Sequence, residues 1–83
     1  MNIRVRTGGM LGEHLPPGSS RNRADLDVMT PATPHTVMTQ LGIPTDKPYL
    51  VAVNGKVVPP SALASQPLGP DDELSILPAL RGG

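Results

Sequence analysis

The residues of this chain with the clearest chemical use are the two glycines at its end, Gly82 and Gly83. Glycine lacks a Cβ and costs conformational entropy to order, so such a pair adds nothing to a hydrophobic core. It does form a thin peptide that ends in a carboxylate, and a thin tip can enter an active site in which any side chain would clash. A frayed terminus is the ordinary alternative. We therefore look for the chemistry of this chain at Gly83 and for a fold that presents it.

The remaining reactive groups do not form a catalytic set. His14 and His35 lie in different segments with no companion nucleophile, and Ser19-Ser20 falls in a loop. No glycine-rich nucleotide motif is present. The chain has no cysteine, which excludes disulfides, thiolate metal sites and a cysteine nucleophile. We predict a protein that is not an enzyme and that uses no metal or cofactor of its own.

Composition restricts the possible partners and the size of the fold. A chain of 83 residues is expected to form one domain. Its 7 basic and 7 acidic residues cancel, which argues against a nucleic-acid partner. Its longest apolar stretch is far too short to cross a bilayer, and residues 1–6 lack the apolar core of a signal peptide. We expect a soluble, cytoplasmic protein without membrane contacts.

Strand patterns recur along the chain between turns rich in proline and glycine. Ile3 and Val5 alternate with polar residues, and residues 24–28 alternate in the same way, which predicts two antiparallel strands. Residues 49–53 form an apolar run that predicts a central strand. Asn54-Gly55 then favours a tight hairpin into a short strand at 56–58. Residues 73–77 predict the last strand, with Leu77 pointing outward.

One helix is predicted between the second and third strands. Thr33 suits the N-cap, and Pro34 suits the first helical position. Val37 and Leu41 form an apolar stripe with Met38 beside it. Gly42 stands where a left-handed C-cap is needed. A single further turn is predicted at residues 61–64, with Ser61 as its cap.

These elements predict an α+β domain of one mixed sheet with four to five strands. The first and last strands would pair in parallel at its middle, with the one main helix packed on one face. The domain would cover residues 1–77. Pro78 would release the chain from the sheet, so residues 78–83 are expected to form a flexible C-terminal tail.

The order of elements resembles the ubiquitin-like β-grasp fold, and four stretches resemble sulfur carriers of the MoaD/ThiS type, which include the small subunit of molybdopterin synthase. Those stretches are Leu15-Pro16-Pro17-Gly18, Thr36 through Ile43, Val51 through Val58, and Gly69 through Gly83, the last with an acidic turn, the final strand and the di-glycine end. The length of 83 residues is closer to the molybdopterin type than to the shorter thiamine type. The likeness covers nearly the whole chain.

The resemblance implies that Gly83 is the reacting residue. In this family an E1-like, ATP-dependent adenylyltransferase of the MoeB/ThiF type adenylates the terminal carboxylate. A sulfur donor enzyme then converts the acyl-adenylate into a thiocarboxylate. The resemblance therefore implies three partners, which are the activating enzyme, the sulfur donor and a synthase large subunit. The carried sulfur would serve cofactor biosynthesis, with molybdopterin or its tungsten analogue as the first choice.

The residues before Gly83 are the candidate partner contacts. Leu77, Pro78, Ala79 and Leu80 are apolar residues beside a functional tail, which is a frequent mark of an interface. Arg81 is a candidate partner for an acidic group, and Gly82 belongs to the thin tip. Two other functions stay open. Leu80 through Gly83 resembles the end of ubiquitin, so the chain could be a modifier joined to lysines through Gly83, or an interaction domain in which the glycines are incidental.

Overall fold

The computed structural model describes residues 1–16 and 22–78. The elements follow the predicted order, with a short 3₁₀ helix added before β2 and a second one close to the predicted single turn at residues 61–64. They are β1 (Asn2–Thr7), a 3₁₀ helix (Gly9–His14), β2 (Arg23–Asp27), α1 (Pro34–Leu41), β3 (Leu50–Val53), β4 (Lys56–Val58), a second 3₁₀ helix (Pro60–Ala62) and β5 (Glu73–Leu77).

Within these residues the strands form one five-stranded sheet in the order β2-β1-β5-β3-β4. The central pair, β1 and β5, is parallel, whereas β1 with β2, β3 with β5 and β3 with β4 are antiparallel. The predicted mixed sheet, with the first and last strands parallel at its middle, is confirmed. The architecture is that of the ubiquitin-like β-grasp fold.

The hydrophobic core lies on the face of the sheet that carries α1. Alternate residues of each strand point into it, because successive side chains of a strand face opposite sides. The central strands supply its most buried members: Ile3, Val5, Leu74 and Ile76 are at most 1% exposed. The buried apolar side chains among the described residues are aliphatic or methionine, in a chain whose only aromatic residue is Tyr49.

The sequence signals for α1 are all used. Thr33 and Thr36 form a reciprocal capping box, in which each side chain accepts a hydrogen bond from the other's backbone N–H. Gly42 closes the helix in the left-handed conformation, at φ 75°. Val37 and Met38 point into the core at 1% exposure each. The helix therefore begins and ends where local sequence dictates.

The segments before β2 and β5 contain the two local departures from prediction. The first 3₁₀ helix was not predicted, and it brings Leu11 and its C-cap residue Leu15 into the core. The second short helix begins at Pro60, so the expected cap at Ser61 is wrong. Pro60 has the φ of a first helical residue built in, which lets the turn begin without a side-chain cap.

A hydrogen-bond cluster joins the β3–β4 hairpin to the turn before β5. Asn54 donates through Nδ2 to Asp72 Oδ1 at 2.9 Å, and its Oδ1 accepts from the Glu73 N–H at 2.9 Å. Asp72 Oδ2 accepts from the Gly69 N–H at 2.7 Å. These bonds to the carboxylate, the one from Gly69 first and that from Asn54 second, lower the pKa of Asp72 below its ordinary value of 3.8. The acidic turn before β5 is thus hydrogen-bonded to the β3–β4 hairpin through Asp72 and Asn54.

We expect Asp72→Ala to lower the free energy of unfolding by about 1–2 kcal/mol at neutral pH, because it removes charge-assisted bonds from a partly solvated site. The exposed Asp46 of the 43–49 loop is the matched control, and Asp46→Ala should change stability by less than about 0.5 kcal/mol. Urea unfolding of both variants measures the difference. Equal free energies of unfolding for Asp72→Ala and Asp46→Ala would show that the hydrogen-bond cluster contributes nothing to stability.

The same carboxylate predicts a pH dependence. Because its pKa is lower in the folded state, its stabilisation is fully present above about pH 4 and is lost as pH falls through the folded value. The free energies of unfolding of wild type and Asp72→Ala should therefore converge once the pH is below the pKa of Asp72 in the folded state. Unfolding curves at several acidic pH values test this, and a constant gap between them would contradict it.

Candidate functional site

The candidate site begins where β5 ends. The last residues of β5 pair with both neighbours, and the final pair joins Leu77 to Leu50 of β3. Pro78 follows and is exposed. Residues 79–83 lie outside the described part of the chain, so the expectations for Ala79, Leu80, Arg81, Gly82 and Gly83 stay predictions, as does the flexible tail over residues 78–83.

The strand that leads to this end has two chemically distinct sides. Leu74 and Ile76 are fully buried in the core, whereas Leu77 is 37% exposed on the opposite face. Its outward direction agrees with the sequence pattern. A leucine held in this position by the sheet gains nothing from the core, so its side chain is free to contact another molecule.

Gly8 holds the start of the tail close to the rest of the fold. A Cβ built at Gly8 would lie 2.9 Å from Leu77 Cδ2 and 3.1 Å from Pro78 Cδ. The Gly8 N–H also donates to the Ile76 carbonyl oxygen at 3.2 Å. A side chain at position 8 would require the end of the Leu77 side chain to move, so glycine allows this close approach beside Pro78.

Leu77 belongs to an apolar surface on the open face of the sheet, the face turned away from α1. We call it the open-face patch, and it consists of Leu50, Ala52, Val57 and Leu77. Cross-strand pairing aligns them, since Leu50 pairs with Leu77 and Ala52 pairs with Val57. Leu50 is 46% exposed and Val57 is 63% exposed. Exposed apolar residues that adjoin one another mark a binding surface more often than scattered ones do.

Sequence reasoning found Leu77 and missed the other members of the patch. The available signal was the alternation of residues 50–53, which directs Leu50 outward once Val51 and Val53 face the core. What the sequence does not contain is the register that brings Leu50 beside Leu77. The patch therefore emerges only from the order of strands in the sheet.

The other chemically interesting side chains are not brought together. His14 lies near the C-terminal end of α1, with its Nδ1 4.0 Å from a Cβ built at Gly42. His35 lies in the first turn of the same helix, about 10 Å away along its axis. Ser19 and Ser20 lie outside the described residues. Across residues 1–16 and 22–78, no group of His, Asp and Glu side chains is placed to hold a metal ion.

Among the described residues, the candidate site thus consists of an exposed apolar patch and an exposed Pro78, with Gly8 packed closely beside Leu77 and Pro78.

Comparison with protein families places this fold in a known group. The sequence model of the ThiS family matches residues 17–83. No individual curated protein sequence matches the chain significantly. No helix among the described residues is both long and apolar enough to cross a membrane.

Solved structures share the fold at low sequence identity. A crystal structure of SAMP1 from Haloferax volcanii superposes with a TM-score of 0.69 at 19% identity, covering 100% of both chains. One of small archaeal modifier protein 1 from H. volcanii gives 0.68 at 17% identity, over 95% of this chain and 98% of that one. A chain from the complex of subunits 1 and 2 of the molybdopterin-converting factor of Helicobacter pylori gives 0.60 at 18% identity, over 100% of both.

Proposed function

Because the chain belongs to the ThiS family of ubiquitin-like sulfur carriers, we propose that it carries sulfur as a thiocarboxylate on Gly83. The observation that carries the proposal is the Gly82-Gly83 end of a sequence whose last strand, β5, ends at Leu77 in a β-grasp fold. Extended, residues 78–83 span roughly 20 Å, which is long enough to reach into a deep active site while the domain stays outside.

The proposed chemistry needs no catalytic group from this chain. A carboxylate is a poor electrophile, so the activating enzyme first joins it to AMP, with release of pyrophosphate. A sulfur donor at the oxidation level of sulfide then displaces AMP and leaves the thiocarboxylate. Its sulfur is a strong nucleophile for transfer to an acceptor. Gly83 supplies the reacting carbon, and Gly82 keeps the approach to it narrow.

The partners we propose follow from these steps. An E1-like adenylyltransferase of the MoeB/ThiF type would bind the open-face patch and the tail, and a sulfur donor enzyme would act on the acyl-adenylate. Leu77, Pro78, Ala79 and Leu80 would contact these partners, with Arg81 paired to an acidic group. The structural likeness to a chain of the two-subunit molybdopterin-converting factor supports a synthase large subunit as a further partner and a pterin precursor as acceptor.

A second function has its own support. The chain's likeness to small archaeal modifier protein 1 and its Leu80-Arg81-Gly82-Gly83 end favour conjugation to lysine Nζ atoms through Gly83. The acyl-adenylate is the shared intermediate, because an amine or a sulfur donor can displace AMP from it. The two functions are therefore compatible in one protein.

The absence of cysteine gives a clean test. The chain contains no thiol, so a gel that contains an immobilised organomercurial should retard it only after Gly83 has acquired sulfur. We expect a retarded fraction of the chain isolated from its own cells, lost on alkylation and absent from a variant lacking Gly83. Isolated chain that is never retarded contradicts the sulfur-carrier proposal. Lysines that bear a Gly-Gly remnant after trypsin, which cuts after Arg81, would support the modifier.

A further inference from the structure

The open face of the sheet separates charge along its strands. Two rows of side chains cross it, defined by the cross-strand pairs. The middle row contains Asp25, Arg4 and Glu73, and the row nearer the tail contains Arg23, Arg6, Ser75, Ala52 and Val57. Asp27 and Asn2 lie farther still from the tail. Carboxylates therefore occupy the half of the face that is remote from the tail, and arginines share the half that holds the open-face patch.

The two arginines of the tail-side row, Arg6 and Arg23, do not stabilise the sheet through their pairing. Arg6 pairs directly with Arg23 across the β1–β2 ladder, and like charges in that relation destabilise a sheet. Arg4, one row away, is flanked instead by Asp25 and Glu73. The middle row thus has two carboxylates around one arginine, whereas the tail-side row has two arginines and no carboxylate.

Neighbouring acidic groups compensate this pair only weakly. Arg6 reaches Glu73 at 3.6 Å, but 51% of the Arg6 side chain is exposed, and ion pairs of this kind contribute little. Among the described residues, Arg23 makes no ion pair within 4.0 Å and no side-chain hydrogen bond. The sheet therefore has a like-charge pair with little compensation, beside the apolar patch.

We infer that Arg6 and Arg23 form the charged half of the docking surface, and that the enzyme which adenylates Gly83 presents carboxylates to them next to an apolar area that covers the open-face patch. This inference rests on the proposed function, since it identifies the partner by its action on the tail. Charge complementarity supports it, and so does continuity, because Ser75 and Ala52 join the arginines to the patch in one row. Charges at such a rim govern the rate and salt dependence of association.

The test is ATP–pyrophosphate exchange catalysed by the cognate adenylyltransferase, with the full chain as substrate. The variant is Arg6→Gln with Arg23→Gln. The control is Lys47→Gln with Lys56→Gln, which removes the same charge from exposed positions outside both rows. We expect the arginine variant to raise KM about tenfold at low ionic strength with kcat unchanged. The difference should vanish near 1 M salt, where the Debye length is about 3 Å.

Stability measurements separate docking from folding. The arginine variant should unfold at the same Tm as wild type or above it, because a like-charge pair has been removed. An unchanged KM, an equal rise in the lysine control, or a fall in kcat together with Tm would overturn the inference and leave the sulfur-carrier proposal intact. No exchange with the unsubstituted chain would overturn the proposed function and this inference with it.

Discussion

Replacing Gly82 by alanine is expected to slow thiocarboxylate formation by about 100-fold. A methyl group next to the reacting residue widens a tip that must lie in a narrow active site, and small misplacements of a reacting group cost rates of this order. The free energy of unfolding should not change. Among the described residues, the buried apolar side chains of the core lie between Ile3 and Ile76, several positions before Gly82.

Gly69→Ala is the matched control for this prediction. A Cβ at Gly69 would meet Asp72 Oδ2 at 3.6 Å, an ordinary contact, so the methyl group fits there without strain. Both variants add one methyl group to an 83-residue chain. The measurement is the initial rate of thiocarboxylate formation for each variant and for wild type. Equal rates for Gly82→Ala and wild type would mean that the reaction does not require a thin tip.

The second large effect is a contrast between two adjacent residues of β5: substitution of Ile76 should reduce stability, and substitution of Leu77 should weaken binding to the activating enzyme. Ile76→Ala should lower the free energy of unfolding by about 2–5 kcal/mol, because Ile76 is fully buried at the centre of the sheet. For a domain of this size that corresponds to a fall in Tm of more than about 10 °C. Much of the modest stability of a small domain would be lost.

Leu77→Ala, one residue later, should have little effect on stability and a large effect on binding to the activating enzyme. Its side chain is partly exposed and lies outside the core, so the loss of stability should be about 1 kcal/mol or less, well below that of Ile76→Ala. The KM for the activating enzyme should rise about tenfold, since an apolar contact of the proposed docking surface is lost. Thermal unfolding of both variants measures their stability, and ATP–pyrophosphate exchange measures their KM for the activating enzyme. If Leu77→Ala leaves KM unchanged, the open-face patch is not part of the interface.

The sequence predicted those parts of the fold whose signals are local. The Thr33 and Gly42 caps mark the ends of α1, and Asn54-Gly55 forms the hairpin with positive φ at both residues. The parallel pairing of β1 with β5 is not local, and it was predicted from the order of strands and helix along the whole chain. Alternation alone cannot choose among possible strand orders.

The features that sequence reasoning missed depend on contacts between distant segments. The Asn54–Asp72 bond joins residues 18 apart in sequence. The approach of Gly8 to Leu77 depends on the parallel pairing of β1 with β5. The Arg6–Arg23 pair and the open-face patch both need the register of the ladders, which no single segment encodes. Gly83 itself was singled out by its chemistry, and it lies outside the described residues.

The central claim is most directly tested by the intact mass of the chain after incubation with ATP, the adenylyltransferase and a sulfur donor. We predict a mass gain equal to the exchange of one oxygen for one sulfur, and no gain in a variant that lacks Gly83. An unchanged mass, under conditions in which the enzyme forms the acyl-adenylate of this chain, would contradict the sulfur-carrier proposal.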